Sequence, residues 1–247
     1  MRIEILCDIG INHMGNMSIA RKLIADAAEV GATIAKFQWY SCKDLFGDST
    51  KETYNPEIYE KVRPFELDEK KIEQLMKWCD IENIEFGCSV FDEERFVKLD
   101  SMGVKKHKIA SRVSKFDREL AEKILNTGKI CYTSLGFGAI PFNTARYPNC
   151  RHLFCIASYP TEYNELVLPK SFKDAGLYGF SSHAMNPIPS MMAISRGAEA
   201  VEVHFTLDKS MAGLVGGFDH ICSLNKEELK QLVDFARQAE KILPYCL

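Results

Sequence analysis

The side chains of this chain that could do chemistry recur at one kind of position. Asp8 closes an apolar run at residues 3–9, and Lys36 and Gln38 end another in A-K-F-Q. Ser89 stands in F-G-C-S, Lys108 and Ser111 in K-I-A-S, and Tyr159 in S-Y-P-T. Ser181 and His183 follow in S-S-H, Glu202 and His204 in E-V-H-F-T, and Asp219 and His220 in F-D-H. Singly, each has an ordinary explanation. A lysine at a strand end commonly snorkels to solvent or pairs with an acid, and a serine near glycine usually serves a turn. Two lysines, three serines, the histidines His183 and His204, and two aspartates at the same point of a repeating unit are poorly explained that way. Two ammonium groups flanked by hydroxyls can neutralise and hydrogen-bond a small phosphorylated carboxylate. Two imidazoles on adjacent strands can share one divalent metal, and neutral imidazole suits manganese, iron, zinc or cobalt.

The elements that must hold these residues alternate from end to end. Short apolar runs at 3–9, 33–38, 85–89, 106–110, 130–134, 153–157, 177–181 and 200–205 read as strands. Between them, helix-period stripes are expected at 18–30, 68–83, 92–101, 117–126, 169–175 and 187–196, and a last amphipathic helix at 225–243 begins with N-x-x-E. Residues 41–63 read as a long polar loop. Residues 136–151 carry Gly, Pro and Asn with no helical stripe, so the helix after the fifth strand is expected to be missing or shortened. Eight βα units in 247 residues predict one α/β domain over residues 1–247, a (β/α)8 TIM barrel whose chemistry sits where strands end. An open doubly wound sheet is the alternative, but no G-x-G-x-x-G turn follows the first strand.

Composition narrows the partners. A net charge of −3 gives no reason to expect nucleic acid or a membrane surface, and 46% hydrophobic residues suit a large core. The nine cysteines are odd in number and lack C-x-x-C spacing, which predicts buried free thiols in a reducing compartment. No apolar run reaches membrane-span length and no signal-peptide pattern opens the chain, so a cytoplasmic protein is expected.

In order along the chain, D-I-G-I-N-H-M-G-N, A-K-F-Q, F-G-C-S-V-F-D, K-I-A-S, S-Y-P-T, S-S-H, E-V-H-F-T-L-D and F-D-H resemble the motifs of the sialic acid (N-acetylneuraminate) synthase family. The resemblance runs from Cys7 to the last helix. It implies a phosphoenolpyruvate-dependent transferase that joins the enol carbon to the aldehyde of an amino sugar such as N-acetylmannosamine. Water then adds and phosphate leaves by C–O cleavage, giving a nonulosonic acid. The implied cofactor is a divalent metal, usually Mn2+, which polarises the aldehyde. By the same resemblance, Lys36, Lys108, Ser89, Ser111 and Ser181 would hold phosphoenolpyruvate, and His183 and His204 would ligate the metal. Asp219, Tyr159 and Gln38 would contact the sugar, and Asp8 would be the acid near the metal-bound groups. Asn12, His13 and His220 would only support their loops.

The departures fall mainly on the acceptor side. The family's usual Glu is Asp8 here, and Arg112 and Val113 stand where a Gly and an acidic residue commonly follow K-I-A-S. Ala157 replaces a polar residue ahead of Y-P-T, and the loop 211–218 is longer than its counterpart. The resemblance covers the barrel alone; the small C-terminal antifreeze-like domain of typical members is expected to be lacking. The resemblance implies a homodimer as partner, an expectation that losing the cap weakens, and a separately encoded cap domain would supply the missing part. Two other readings stay open: a Schiff-base aldolase or lyase using Lys36 or Lys108 as nucleophile, and a non-catalytic or regulatory barrel that binds phosphoenolpyruvate and metal.

Overall fold

A computed structural model describes residues 2–50 and 54–245 of the chain. Its elements begin with β1 (Glu4–Gly10), α1 (Met17–Glu29) and β2 (Ile34–Trp39). A π-helical turn at Lys43–Gly47, α2 (Pro56–Val62), α3 (Glu69–Ile81), β3 (Glu85–Val90), α4 (Glu93–Ser101) and β4 (Lys106–Ile109) follow. Next come α5 (Ser111–Phe116), α6 (Arg118–Leu125), β5 (Ile130–Ser134), β6 (Cys150–Cys155) and β7 (Gly179–Ser182). The chain continues through α7 (Ile188–Ser195), β8 (Ala200–Phe205), β9 (Ser223–Leu224) and α8 (Lys226–Ile242). Consecutive strands pair in parallel and β8 returns to β1, so eight strands close into the predicted barrel. Closure buries both faces of every strand, which is why the strands read as continuous apolar runs.

Two expectations about connections need correction. Residues 169–175 form turns rather than a helix; Pro169 and Gly176 bracket too short a segment to build more than a turn. The loop expected at 41–63 is partly helical. Asn55 accepts from the Ile58 N–H, and Pro56 at the first helical position starts α2. β4 runs directly into the short helix α5, which carries Arg112. Between β5 and β6 there are turns and no helix. Elsewhere the caps are those the sequence suggests. Asp68 caps α3, Asp92 caps α4, and Asn225 and Glu228 form a reciprocal capping box on α8.

Period two along the strands sorts the barrel interior into levels. Leu6, Ile34, Tyr132, Leu153 and Ala200 form an apolar layer inside the barrel, separate from the larger core between strands and helices. At the N-terminal end, Glu4 binds Lys106 at 2.6 Å and accepts from the Tyr132 hydroxyl, closing that end with matched charge. Two residues beyond the apolar layer stand Asp8 on β1, Lys36 on β2 and Glu202 on β8. Two residues further are Gln38 and His204. Register completes the alignment: Asp8 lies opposite both Lys36 and His204, Ser89 opposite Lys108, and Ser181 opposite Glu202. All eight described cysteines are free and buried. No helix among the described residues is long and apolar enough to cross a membrane.

Candidate active site

At the C-terminal end of the barrel two lysines and two carboxylates form a buried, charge-balanced cluster. Lys36 Nζ lies 2.7 Å from Asp8 Oδ2, 3.4 Å from Glu202 Oε1 and 3.4 Å from the Ser89 hydroxyl. Lys108 Nζ donates to the Ser134 hydroxyl at 2.8 Å and lies 3.3 Å from Glu202 Oε2, which also accepts from Ser181 Oγ at 2.7 Å. Burial disfavours charge on Lys36, but Asp8 and Glu202 outweigh it and hold the ammonium above its ordinary value. Lys108 goes the other way. Burial, helped by nearby Lys36, pushes it below its ordinary value despite Glu202. Burial likewise opposes charge on Glu202, yet Lys108, Lys36 and the Ser181 bond bring its carboxyl down to about 2. Two fixed ammonium groups surrounded by hydroxyls can take up a phosphorylated carboxylate in exchange for contacts to Asp8 and Glu202.

Above this cluster His183 and His204 lie with ring centroids 5.4 Å apart, and Tyr159 covers His183 at 3.9 Å. His183 Nδ1 is 2.7 Å from the Ile156 carbonyl, an arrangement that orients the ring and leaves Nε2 as its available nitrogen. Burial, with His204 beside it, pushes His183 down to about 3, so the imidazole is neutral at pH 7. His204 Nδ1 is 3.8 Å from Asp8 Oδ2 and 3.8 Å from Asp219 Oδ2. That nitrogen and Asp8 Oδ1 are buried with no hydrogen-bond partner among the described residues. An unpartnered buried imidazole nitrogen is the donor a metal requires, so His204 beside His183 fits one. Among the described residues no group of three or more His, Cys, Asp or Glu side chains is disposed to hold one. Two imidazoles would therefore bind a metal whose remaining positions belong to water or substrate.

The acceptor-side residues converge on a bare backbone. Gly10 has φ +51, and a Cβ there would lie 3.0 Å from Gln38 Nε2, 3.3 Å from Asp8 Oδ1 and 3.6 Å from Asp219 Oδ2. Burial raises the Asp219 carboxyl above its ordinary value, and Asp8 adds to this against the pull of His204. Gln38, Tyr159, His204 and Asp219 border one cavity of about 300 Å3, which Ser111 and Arg112 also line. A larger depression beside Trp39, Glu66 and Lys98 contains none of the predicted site residues.

The structure thus brings Asp8, Lys36, Ser89, Lys108 and Ser181 into one cluster, and Gln38, Tyr159, His183, His204 and Asp219 into the layer above. Ser111 sits at the edge. Its hydroxyl accepts from the Gly136 N–H at 3.2 Å and donates toward Cys155 Sγ at 3.3 Å. Asn12, His13 and His220 tie loops. Asn12 donates to the Phe205 carbonyl and Ser223, His13 Nδ1 accepts from the Gly15 N–H, and His220 Nδ1 meets Thr206 Oγ1. Two members of the cluster were missing from the predicted set. Glu202 was visible at a strand end but given no role; its place two residues before His204 marked it as inward-facing. Ser134 ends β5 two residues after Tyr132, and the same period-two count finds it.

By sequence and by fold the chain is similar to sugar-acid synthases. The sequence profile of the NeuB family matches residues 23–245. The chain is 32% identical to the N,N'-diacetyllegionaminic acid synthase of Campylobacter jejuni, over 97% of this chain and 77% of that protein. It is 28% identical to the human N-acetylneuraminate-9-phosphate synthase, over 97% of this chain and 70% of that protein. The structure superposes on the N-acetylneuraminic acid synthetase of Leptospira borgpetersenii with a TM-score of 0.85 and 26% identity, covering 99% of this chain and 86% of that one.

Proposed function

Because the chain belongs to the NeuB family, we propose that it is a transferase that condenses phosphoenolpyruvate with the aldehyde of an amino sugar, giving a nonulosonic acid and inorganic phosphate. The observation that carries this reading is the buried Lys36–Glu202–Lys108 bridge, which holds two ammonium groups beside the hydroxyls of Ser89, Ser134 and Ser181. Phosphate and carboxylate of the donor would take these as counter-charges and donors. Such binding supplies the orientation on which C–C bond formation depends.

In the reaction the enol π-electrons of phosphoenolpyruvate form the new bond to the aldehyde carbon, and the aldehyde oxygen takes a proton. Water adds at the former C2, and the C–O bond to phosphate breaks with its electrons leaving on phosphate. Gln38 and Asp219, turned over Gly10, would hold the acceptor's hydroxyl or amide groups, and Tyr159 would wall its other side. Asp8 and Asp219, each 3.8 Å from His204 Nδ1, would be the carboxyl groups available to supply the proton that the aldehyde oxygen takes. A divalent metal, Mn2+ in the first instance, would be held by His183 and His204 and would polarise that oxygen when bound.

The test is acceptor-dependent phosphate release with phosphoenolpyruvate, Mn2+ and a panel of aldoses led by N-acetylmannosamine. Absence of release across a broad panel refutes the synthase reading. One observation favours a second reading: the lowered proton affinity of Lys108 brings it closer to a nucleophilic amine. Borohydride trapping of a keto acid on Lys108 would establish that imine route; the condensation forms none.

A further inference from the structure

Cys155 ends β6 directly opposite Ser181 on β7, among the residues that would hold the donor. No step of the condensation uses it. Its sulfur accepts from the Ser111 hydroxyl at 3.3 Å, and that hydroxyl in turn accepts from the Gly136 N–H at 3.2 Å. The Ser181 hydroxyl is its other hydrogen-bonding neighbour. Ser181 has one hydroxyl proton, and that proton is committed to Glu202 Oε2 at 2.7 Å. The remaining contact can then run only from the Cys155 S–H to Ser181 Oγ. Burial holds the thiol above its ordinary value despite Ser111 and Lys108, so the S–H is present at pH 7.

Direction is thereby fixed along a chain of bonds. It runs from the Gly136 N–H through Ser111, Cys155 and Ser181 to the Glu202 carboxylate that bridges the two lysines. A Cβ on Gly136 would fall 2.6 Å from Ser111 Oγ, so only a bare backbone lets the first link form. At the far end Glu202 Oε1 is buried with no hydrogen-bond partner among the described residues, so the cluster is not satisfied by its own side chains. A thiol is a weak donor and a weak acceptor. It can orient two hydroxyls in the empty site and release them at little cost when an anion enters. We propose that Cys155 is a positioning residue of the donor site, which aligns the Ser111 and Ser181 hydroxyls for phosphoenolpyruvate. The inference rests on the synthase reading above and adds to it a residue that acts through two others.

Serine and alanine are nearly equal in size and both smaller than cysteine, so at this position they separate hydrogen bonding from packing. Calorimetric titration with phosphoenolpyruvate compares the wild-type chain, Cys155→Ser and Cys155→Ala, with urea unfolding to establish that each is folded. One lost hydrogen bond predicts that Cys155→Ala binds phosphoenolpyruvate about fivefold to tenfold more weakly. Cys155→Ser keeps a donor and an acceptor and should stay within about twofold of the wild type. In a Ser111→Ala background, Cys155→Ala should weaken binding by less, because part of its effect passes through Ser111. In steady-state kinetics the loss should fall on the phosphoenolpyruvate KM, with the acceptor KM unchanged. Equal weakening by the two variants marks a packing role and overturns the proposal, and so does full additivity with Ser111→Ala. Phosphate release distinguishes the two levels. Release by a Cys155→Ala variant of wild-type donor affinity leaves the synthase reading standing and this inference refuted. A Cys155-dependent affinity without release for any acceptor refutes the synthase reading instead, and a wild type that does not bind phosphoenolpyruvate overturns both.

Discussion

Glu202→Gln keeps the size of the side chain and removes only its charge, which isolates the electrostatic core of the site. In the native cluster two ammonium groups face two carboxylates; the variant leaves a buried excess of positive charge and deprives Lys108 of its carboxylate partner. A carboxyl brought from an ordinary 4.5 to about 2 contributes about 3 kcal/mol to stability at pH 7. Removing one partner of a buried ion pair typically costs about 3–5 kcal/mol, so two independent arguments agree. The sign follows from the depressed value. The contribution is complete above 4.5 and is lost as pH falls toward about 2, where native Glu202 also becomes neutral. Urea unfolding at pH 7 should therefore show the variant about 3 kcal/mol less stable, a melting difference of about 6–12 °C for a chain of this size. At pH 3 the gap should shrink to about 1 kcal/mol. A gap under about 0.5 kcal/mol at pH 7, or one of equal size at pH 7 and pH 3, would refute the charge-balanced cluster.

Three further outcomes are expected. Gly10→Ala puts a Cβ at φ +51 and 3.0 Å from Gln38 Nε2, so it should destabilise the fold by about 1–2 kcal/mol and raise the acceptor KM, with the phosphoenolpyruvate KM unchanged; steady-state kinetics with each substrate varied will show it. Chelation should abolish acceptor-dependent phosphate release and Mn2+ should restore it, while His183→Ala should lose both the activity and calorimetric Mn2+ binding. Activity that survives exhaustive chelation would remove the metal from the scheme. With eight described thiols buried, a thiol reagent should label at most one of the nine cysteines quickly in the native chain and all nine in denaturant.

Much of the site could be read from residue order because parallel strands with period-two side chains convert sequence into position. Lys36 follows Ile34 and Glu202 follows Ala200 by two residues. Once the barrel is recognised, each lysine and acid must therefore sit one level above the apolar layer. The connections were less legible. Residues 41–63 look polar and irregular, yet Asn55 and Pro56 suffice to start α2 once Tyr40, Cys42 and Phe65 give Val62 an apolar surface to cover. Residues 169–175 have helix-forming composition, but Phe172 is held from both sides: its N–H donates to the Arg196 carbonyl and its carbonyl accepts from the Leu177 N–H. A tertiary hydrogen bond to Arg196 and a local turn bond to Leu177 together overrode helical propensity there.

By itself the sequence determined the barrel and the identities of the groups at its mouth, because alternation of apolar runs and stripes dictates which side chains must be buried together. Only the tertiary structure decided how those groups are paired. Coulomb interactions depend on ångström separations between strands far apart in the chain. The division of the two lysines into one held above and one below its ordinary proton affinity follows from such distances. So does the role of Glu202 as the bridge between them.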